Sequence, residues 1–313
     1  MNTIQLVKEI PRLQWDRQRN LRTLTSFSIG GPAELLVRAN SIRALAKLNQ
    51  RANQENIPIT IIGSGTNILV SDSGVSGITL KLGKSFEYSK ILSKQKGEVE
   101  VKVGMATALT AFYRWALKEN IGGTSFLAGI PGTVGGAVAV NAGTKDLAIG
   151  SLIDRVGFVT TAGEVVEATA ESMKFDYRYA WMPENWIALY AILKLKSSVS
   201  HEENKERKQL IEHRLATQPH GARCAGSFFK NPDPINGPFA GELIQKAGMK
   251  GARHGGAMVS KIHANFIINQ GWATATDIIE LARDIHGQVK KQFGISLVPE
   301  VRFIGKNLQW SEE

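Results

Sequence analysis

The 313-residue sequence contains a single cysteine, Cys224. One cysteine forms neither an internal disulfide nor a multi-cysteine metal site, so a reducing compartment is expected. The sequence also lacks an apolar run of the roughly 18–20 residues that a membrane-spanning helix requires. Residues 1–20 mix charged and apolar side chains and contain no apolar signal-peptide core. These absences predict a cytoplasmic protein without membrane insertion.

Histidine and acidic residues are also few. The six histidines show no metal-ligand spacing, so no metal is predicted. Lys and Arg number 38 against 28 Asp and Glu, a net charge of +10, which favours an anionic partner: nucleic acid, a membrane surface or a phosphorylated small molecule. The basic residues are dispersed, and the densest charged run, 200–214, is mixed in sign. Because nucleic-acid binders cluster basic and aromatic residues on one element, nucleic acid is not the expected partner.

Hydrophobic periodicity predicts a chain of mixed helices and strands. A strand, a helix and a strand over 33–62 read as a βαβ unit, and a hairpin is expected at 156–168. A charged, solvated helix over 197–218 marks the main domain boundary. The other predicted elements are strands at 68–70, 78–82, 99–103, 186–196 and 295–304, and helices at 105–118, 240–247 and 274–293.

Glycine is the abundant residue, at 31 of 313, and it is concentrated in two places beside strands. The loop 63–67 (GSGTN) follows a β-branched run, but it lacks the third glycine and the helix of a dinucleotide-binding fingerprint. By itself this loop fits a plain turn and an anion site equally well. In the second place, 129–143 (GIPGTVGGAVAVNAG), small side chains would let a flat ligand or a pyrophosphate lie against the main chain, although close packing of two elements is the alternative. Together the two segments favour a bound dinucleotide.

Five motifs, taken together, resemble one family of flavoenzymes, the UDP-N-acetylenolpyruvoylglucosamine reductases of bacterial peptidoglycan precursor synthesis. The motifs occur in the family's order between residues 24 and 305, and they are SFSIGG (26–31), GSGTNILVSD (63–72), FLAGIPGTVGGAVAVNAG (126–143), AGSFFKNP (225–232) and PEVRFIG (299–305). The first glycine loop is shared with related FAD-binding oxidases, whereas the third and fourth motifs are specific. The short stretch between Trp186 and the charged helix resembles the family's shorter type, which lacks an inserted tyrosine-bearing loop.

The resemblance implies an α+β protein with an FAD-binding region of the vanillyl-alcohol-oxidase/PCMH type over 20–196, in subdomains of about 20–83 and 84–196. It also implies a C-terminal α+β substrate-binding domain over 197–306. The implied activity is reduction of the enolpyruvyl ether of UDP-N-acetylglucosamine to UDP-N-acetylmuramate, with FAD bound and NADPH as co-substrate. The alternative is another FAD-dependent oxidoreductase of the same fold. Protein partners and oligomeric state are not implied.

The resemblance also carries site residues. Ser227 corresponds to the family's proton donor, Arg178 to the arginine that holds the enol-carboxylate, and Glu300 to the catalytic glutamate; without the family, Glu300 would read as a strand-end carboxylate paired with Arg302. Tyr177 and Arg302 are expected substrate neighbours. The expected FAD contacts are Gly63, Ser64, Gly65, Thr66, Asn67, Gly129, Ile130, Pro131, Gly132, Thr133, Gly135, Gly136 and Asn141.

The sequence departs from the family at one site position. After the arginine, the family usually has one residue and then a serine, whereas this chain has Tyr179 and Ala180. The hydrogen bond that this serine hydroxyl would make near Arg178 is therefore not expected here, whereas the arginine itself is present. His263, in KIHANFIIN, is interpreted as a structural or supporting residue. Cys224 is given no role, because a free cysteine usually behaves as a small apolar residue.

Overall fold

The computed structural model describes residues 3–310 and has mixed helix and strand content in that range. The helices are α1 (Thr3–Lys8), α2 (Ile42–Gln54), α3 (Leu109–Lys118), α4 (Val134–Ala139), α5 (His201–Thr217), α6 (Ala240–Lys246) and α7 (Ala275–Phe293). The strands are β1 (Leu13–Asn20), β2 (Pro32–Ala39), β3 (Ile59–Ile61), β4 (Ile68–Val70), β5 (Val75–Leu82), β6 (Ser89–Lys94), β7 (Glu98–Gly104), β8 (Ile153–Val159), β9 (Val165–Thr169), β10 (Ile187–Lys196), β11 (Arg253–His254), β12 (Ala257–Val259), β13 (Ile267–Asn269) and β14 (Arg302–Ile304). None of these helices is long and apolar enough to cross a membrane.

The described residues form two compact units. The first unit comprises residues 3–17, 35–64 and 77–213, and the second comprises 18–34, 65–76 and 214–310. The sequence predicts two contiguous domains, 20–196 and 197–306. In the structure the segments 18–34 and 65–76 belong instead to the unit that contains residues 214–310. The domain limits themselves stay a prediction.

A five-stranded antiparallel sheet, in the order β6-β7-β10-β8-β9, organises the first unit. Alternate residues of β7, the valines at 99, 101 and 103, are fully buried, as the two-residue period of a half-buried strand requires. The same core takes in Phe112 from α3 and Val134 from α4. The glycine-rich segment is therefore fixed to this core through α4.

A second sheet has the order β1-β2-β5-β3, with β3 parallel to β5. The predicted strand–helix–strand sequence is present as β2, α2 and β3, but β5 lies between the two strands of the expected βαβ unit. Ser41 caps α2, because its hydroxyl accepts a hydrogen bond from the Ala44 N–H at 3.1 Å. Leu45 and Leu48 of α2 are buried in the core that this helix shares with the sheet.

The charged helix α5 is anchored by a buried carboxylate near its start. Glu203 is 9% exposed and accepts hydrogen bonds from the N–H groups of Gly123 (2.6 Å) and Thr124 (3.1 Å). Ser125 donates to Glu206 one turn further along at 3.0 Å. The prediction of a wholly solvated helix is thus incomplete, because one of its glutamates holds the chain just before the glycine-rich segment.

The core of the second unit is built around α7. The helix begins with a capping box between Thr274 and Asp277 and ends at Gly294, whose φ of 69° is the left-handed conformation that favours glycine. Ile278, Leu281 and Ile285 on its inner face are buried. The remaining strands form an antiparallel sheet, β11-β12-β13, and the parallel pair β14 and β4.

Two predicted elements are shorter in the structure. The helix expected from residue 105 begins at Leu109, because the Met105 and Ala106 N–H groups donate to the Leu189 and Phe86 carbonyls. The strand expected over 295–304 is a ladder strand only at Arg302–Ile304. Residues before it pair elsewhere through the bridge Phe229↔Pro299, and Pro299 has no N–H to continue a ladder.

Candidate active site

In the first unit, the first glycine loop lies against the second glycine-rich segment. A side chain at Gly63 would place its Cβ 2.6 Å from the Thr133 hydroxyl oxygen, so this contact requires glycine. On its other side the Gly63 carbonyl accepts a hydrogen bond from the Lys81 ammonium group. Two of the segments predicted to bind the cofactor are therefore adjacent in the structure.

The glycine-rich segment is fixed along one side and accessible along the other. Thr133 caps α4 by accepting from the Gly136 N–H at 3.2 Å. The Val134 and Gly135 N–H groups donate to the Thr107 and Met105 carbonyls, both at 2.9 Å. The residues of this segment that remain exposed are Gly129, Pro131 and Gly136. The segment thus presents a surface with few side chains, and hydrogen bonds fix its backbone. Helix α4 was not predicted from the sequence.

A basic side chain, Lys81, lies beside the first loop. Burial lowers the pKa of Lys81, and the nearby Arg38 guanidinium lowers it further. A lysine so placed still donates to the Gly63 carbonyl. Backbone amides, small side chains and positive charge are what a flavin dinucleotide with its pyrophosphate needs. The residues present therefore fit FAD.

Arg178 lies in a tight turn that is tied to the glycine-rich segment. Asp176 and Tyr179 exchange backbone hydrogen bonds of 3.0 and 3.1 Å, and Arg178 between them has a φ of 51°. The buried Asn141 side chain donates to the Asp176 carbonyl at 2.8 Å, and the Arg178 guanidinium donates to the Gly143 carbonyl at 3.3 Å. A non-glycine residue in a sparsely populated backbone region costs about 1–3 kcal/mol and persists only where the surrounding contacts hold it. The predicted cofactor residue and the predicted substrate arginine thus share one hydrogen-bonded cluster.

Tyr177 belongs to the same turn. The Arg178 guanidinium carbon lies 5.4 Å from the centre of the Tyr177 ring, within the range of a cation–π contact. Ala180, which stands where the family has a serine, is buried. Tyr177 and Arg178 are both half-buried residues.

In the second unit, the backbone that carries Ser227 pairs with the backbone that carries Glu300. The Glu300 N–H donates to the Phe228 carbonyl at 2.8 Å, and the Lys230 N–H donates to the Val298 carbonyl at 2.8 Å. Phe228 and its neighbour Phe229 are buried in the core, whereas Ser227 and Glu300 are half-buried. Buried aromatic rings therefore anchor both segments while the two polar side chains stay accessible.

Asn67 and Arg302 lie beside this pair. The Asn67 amide donates to the Glu300 carbonyl at 3.2 Å, and the Arg302 N–H donates to the Asn67 carbonyl at 3.1 Å. Gly65, with a φ of 70°, faces the Leu24 carbonyl at a distance that admits no Cβ. The structure thus brings Ser227, Glu300, Arg302 and Asn67 together, and separately it brings Arg178, Tyr177, Asn141 and the second glycine-rich segment together.

The remaining predicted residues differ in their accessibility. Ser64 is exposed, and Thr66, Ile130 and Gly132 are half-buried. Burial raises the pKa of the Cys224 thiol, which fits an unreactive residue. Among residues 3–310 no three His, Cys, Asp or Glu side chains are grouped as a metal site.

Sequence reasoning missed Lys81 and Asn265. A lysine inside the apolar strand ITLKL was a usable signal, because lysine is rarely placed in a buried strand without a partner. Asn265 lies two residues after His263, in a motif whose histidine is the more conspicuous residue. The partners of its side chain are 36 residues away, so nothing in the local sequence indicates them.

We expect Lys81→Met to weaken FAD binding about 10-fold, because without the Lys81 hydrogen bond to the Gly63 carbonyl the loop has to be ordered when FAD binds, and ordering the backbone of one residue costs about 1–2 kcal/mol. The measurement is titration of the apoprotein with FAD, followed by flavin fluorescence. Lys84→Met is the matched control, since Lys84 is exposed and three residues further along the chain. Equal FAD affinity in the two variants would contradict a role for Lys81 in holding the loop.

The accessible glycine-rich backbone and its basic flank define a flavin-binding oxidoreductase. Residues 33–169 match the family model of the FAD binding domain, and residues 218–304 match the model of the UDP-N-acetylenolpyruvoylglucosamine reductase C-terminal domain. The expected fold class and the bound FAD are thereby confirmed.

Full-length relatives agree with both matches. The chain is 35% identical over 302 residues to the UDP-N-acetylenolpyruvoylglucosamine reductase of Desulfosudis oleivorans, covering 94% of this chain and 95% of that one. It is 37% identical over 285 residues to that of Lachnoclostridium phytofermentans, covering 91% of each. The crystal structure of UDP-N-acetylenolpyruvylglucosamine reductase (MurB) from Thermus caldophilus superposes with a TM-score of 0.77 at 31% identity, covering 94% and 99% of the two chains. The chain belongs to the UDP-N-acetylenolpyruvoylglucosamine reductase family, as its motifs predicted.

Proposed function

We propose that this chain reduces the enolpyruvyl ether of UDP-N-acetylenolpyruvoylglucosamine to UDP-N-acetylmuramate, with NADPH as the electron donor. The observation that carries the proposal is the pairing of the Ser227 and Glu300 segments within the part of the chain that matches the family's C-terminal domain. That match also argues against another flavin oxidoreductase of the same fold, which would need a different C-terminal domain.

The cofactor-binding residues are proposed to be those of the two glycine-rich segments. They are Gly63, Ser64, Gly65, Thr66, Asn67, Gly129, Ile130, Pro131, Gly132, Thr133, Gly135, Gly136 and Asn141. FAD bound there would supply the hydride chemistry that joins oxidation of NADPH to reduction of one carbon of the enol ether. The protein's residues have to orient the substrate and deliver a proton to the neighbouring carbon.

Hydride addition to the enol ether leaves negative charge that spreads into the adjacent carboxylate. The Arg178 guanidinium is proposed to bind this carboxylate, because its fixed charge and forked donors match two carboxylate oxygens. A cation placed where charge develops stabilises the transition state more than the ground state. Tyr177 and Arg302 are proposed to contact the substrate.

Protonation completes the reaction. Ser227 is proposed to donate its hydroxyl proton to the carbon next to the one that received the hydride. Glu300 is proposed to polarise the intermediate or to assist this proton transfer. One hydride and one proton then saturate the double bond, and no group leaves the substrate.

An anaerobic two-step assay tests the proposal. NADPH should bleach the visible absorbance of the flavoprotein, and the UDP-enolpyruvyl sugar should restore it with formation of UDP-N-acetylmuramate. Bleaching without reoxidation by this sugar would favour the alternative oxidoreductase. The same assay with NADH measures the coenzyme preference. NADPH and nucleotide sugars are cytoplasmic compounds. We therefore propose that the enzyme acts in the cytoplasm.

A further inference from the structure

The Ser227 segment is held from its other side by one buried asparagine. Asn265 is 3% exposed. Its amide nitrogen donates to the Phe229 carbonyl at 2.8 Å, and its amide oxygen accepts from the Phe229 N–H at 2.9 Å. Its own carbonyl accepts from the Phe228 N–H at 2.7 Å. A single residue therefore satisfies three backbone groups within two residues of Ser227.

The chemistry of these contacts is specific for an amide side chain. A neutral carboxamide offers one donor and one acceptor side by side, which matches the N–H and C=O of Phe229. Phe229 is 1% exposed, so removal of the amide would leave two buried backbone groups without partners. An aspartate would keep the acceptor but would set a carboxylate oxygen against the Phe229 carbonyl.

Asn265 is itself oriented by its neighbours. Its N–H donates to the His263 Nδ1 at 3.2 Å, and the His263 ring packs on Phe266 with ring centres 4.9 Å apart. Through Phe228, the backbone held by Asn265 is also the backbone that pairs with Glu300. Phe228 therefore joins the two contacts: its N–H donates to the Asn265 carbonyl, and its own carbonyl accepts from the Glu300 N–H.

We propose that Asn265 is a positioning residue for the protonation step: it fixes the backbone that aims the Ser227 hydroxyl beside Glu300. The inference rests on the proposed function, because it assumes that Ser227 donates the proton. A proton donor that is displaced by about 1 Å loses up to roughly 100-fold in rate. The side-chain hydrogen bonds of Asn265 end on the Phe229 backbone and not on a residue proposed to bind FAD, so electron transfer from NADPH to the flavin should be insensitive to it.

The test is stopped-flow measurement of both half-reactions on the FAD-loaded full chain, with Asn265→Ala compared with Asn269→Ala. Asn269 is a matched control, since it is also 3% exposed and its side-chain amide makes three hydrogen bonds with backbone groups, those of Phe27, Gly271 and Ala273, against two for the Asn265 amide. We expect Asn265→Ala to slow flavin reoxidation by the UDP-enolpyruvyl sugar about 10- to 100-fold. Flavin reduction by NADPH and the dissociation constant of the sugar should stay within about twofold, and Asn269→Ala should leave both rates near wild type.

Several outcomes would overturn the inference. Normal reoxidation in Asn265→Ala, equal slowing of both half-reactions, or equal slowing in Asn269→Ala would each do so. If Asn265→Ala does not fold, Asn265→Asp carries the same expectation in an isosteric side chain. Failure of the proposed function is distinguishable, because it would appear in the wild type as no reoxidation by the sugar, or in Ser227→Ala as normal reoxidation.

Discussion

Replacing Ser227 by alanine should slow reoxidation of the reduced flavoprotein by the UDP-enolpyruvyl sugar about 10²- to 10⁴-fold, the usual contribution of a positioned proton donor. Reduction of the flavin by NADPH should be unchanged, because no proton is delivered to carbon in that half-reaction. Stopped-flow absorbance under anaerobic conditions measures the two rates separately. If both half-reactions slowed equally, the assignment of Ser227 as proton donor would be wrong.

The effect of this substitution should be chemical and not structural. The contacts that hold residue 227 run through the backbone and rings of Phe228 and Phe229, which alanine leaves in place. Ser227 is half-buried, so loss of its hydroxyl should change the free energy of unfolding by less than about 1 kcal/mol. Urea denaturation of Ser227→Ala checks this expectation.

Ser227→Cys is the complementary variant. A thiol has an ordinary pKa near 8.5 and donates a proton more readily than an alkyl hydroxyl. We expect partial recovery of reoxidation relative to Ser227→Ala, with a rate that falls as pH rises and the thiol ionises. Because Cys224 lies three residues earlier, the assay needs a reductant that keeps both thiols reduced and prevents a disulfide between them. A pH-independent rate equal to that of Ser227→Ala would show that residue 227 transfers no proton.

The elements that could be predicted are those with local signals. The long helix α7 was expected over 274–293 and is found at Ala275–Phe293. In the structure Thr274 caps its start and Gly294 ends it, and both residue types favour these positions. The apolar run that became β10 was likewise recognised, because a buried strand carries an unbroken apolar sequence.

The elements that could not be predicted depend on distant partners. Helix α4 contains two glycines and looks like a loop, but the Val134 and Gly135 N–H groups are bound by carbonyls some 30 residues earlier. The Phe229↔Pro299 bridge interrupts what sequence predicted as one strand. These pairings arise only when the chain folds, so periodicity cannot indicate them.

The candidate site divides in the same way. Ser227, Arg178 and Glu300 were reached through family motifs, and their roles remain proposals. The hydrogen bonds around these residues could not be predicted. The Asn141 side chain bonds to the Arg178 turn across 35 positions, and the Asn265 side chain bonds to Phe229 across 36 positions. A motif indicates candidate site residues, whereas the residues that hold them are identified by tertiary hydrogen bonds.

Arg178→Lys should slow flavin reoxidation by the sugar about 100-fold or more while NADPH-driven reduction stays near wild type. Lysine keeps the positive charge but loses the planar fork that binds two carboxylate oxygens, and removal of one oriented donor commonly costs 10²- to 10³-fold. The measurement is again the pair of half-reaction rates, with the substrate dissociation constant from the concentration dependence. Near-normal turnover in Arg178→Lys would contradict bidentate binding by Arg178.

Backbone conformation separates the catalytic from the structural contribution of this arginine. Arg178 has a φ of 51°, which costs a non-glycine residue about 1–2 kcal/mol. Arg178→Gly should therefore be more stable than Arg178→Ala by about 1 kcal/mol, although both lose the guanidinium and should be equally slow in reoxidation. The exposed Lys174, with a φ of 44°, is the control: Lys174→Gly removes the same kind of strain and should leave both half-reactions unchanged. Recovery of activity in the more stable glycine variant would refute the role proposed for the Arg178 side chain.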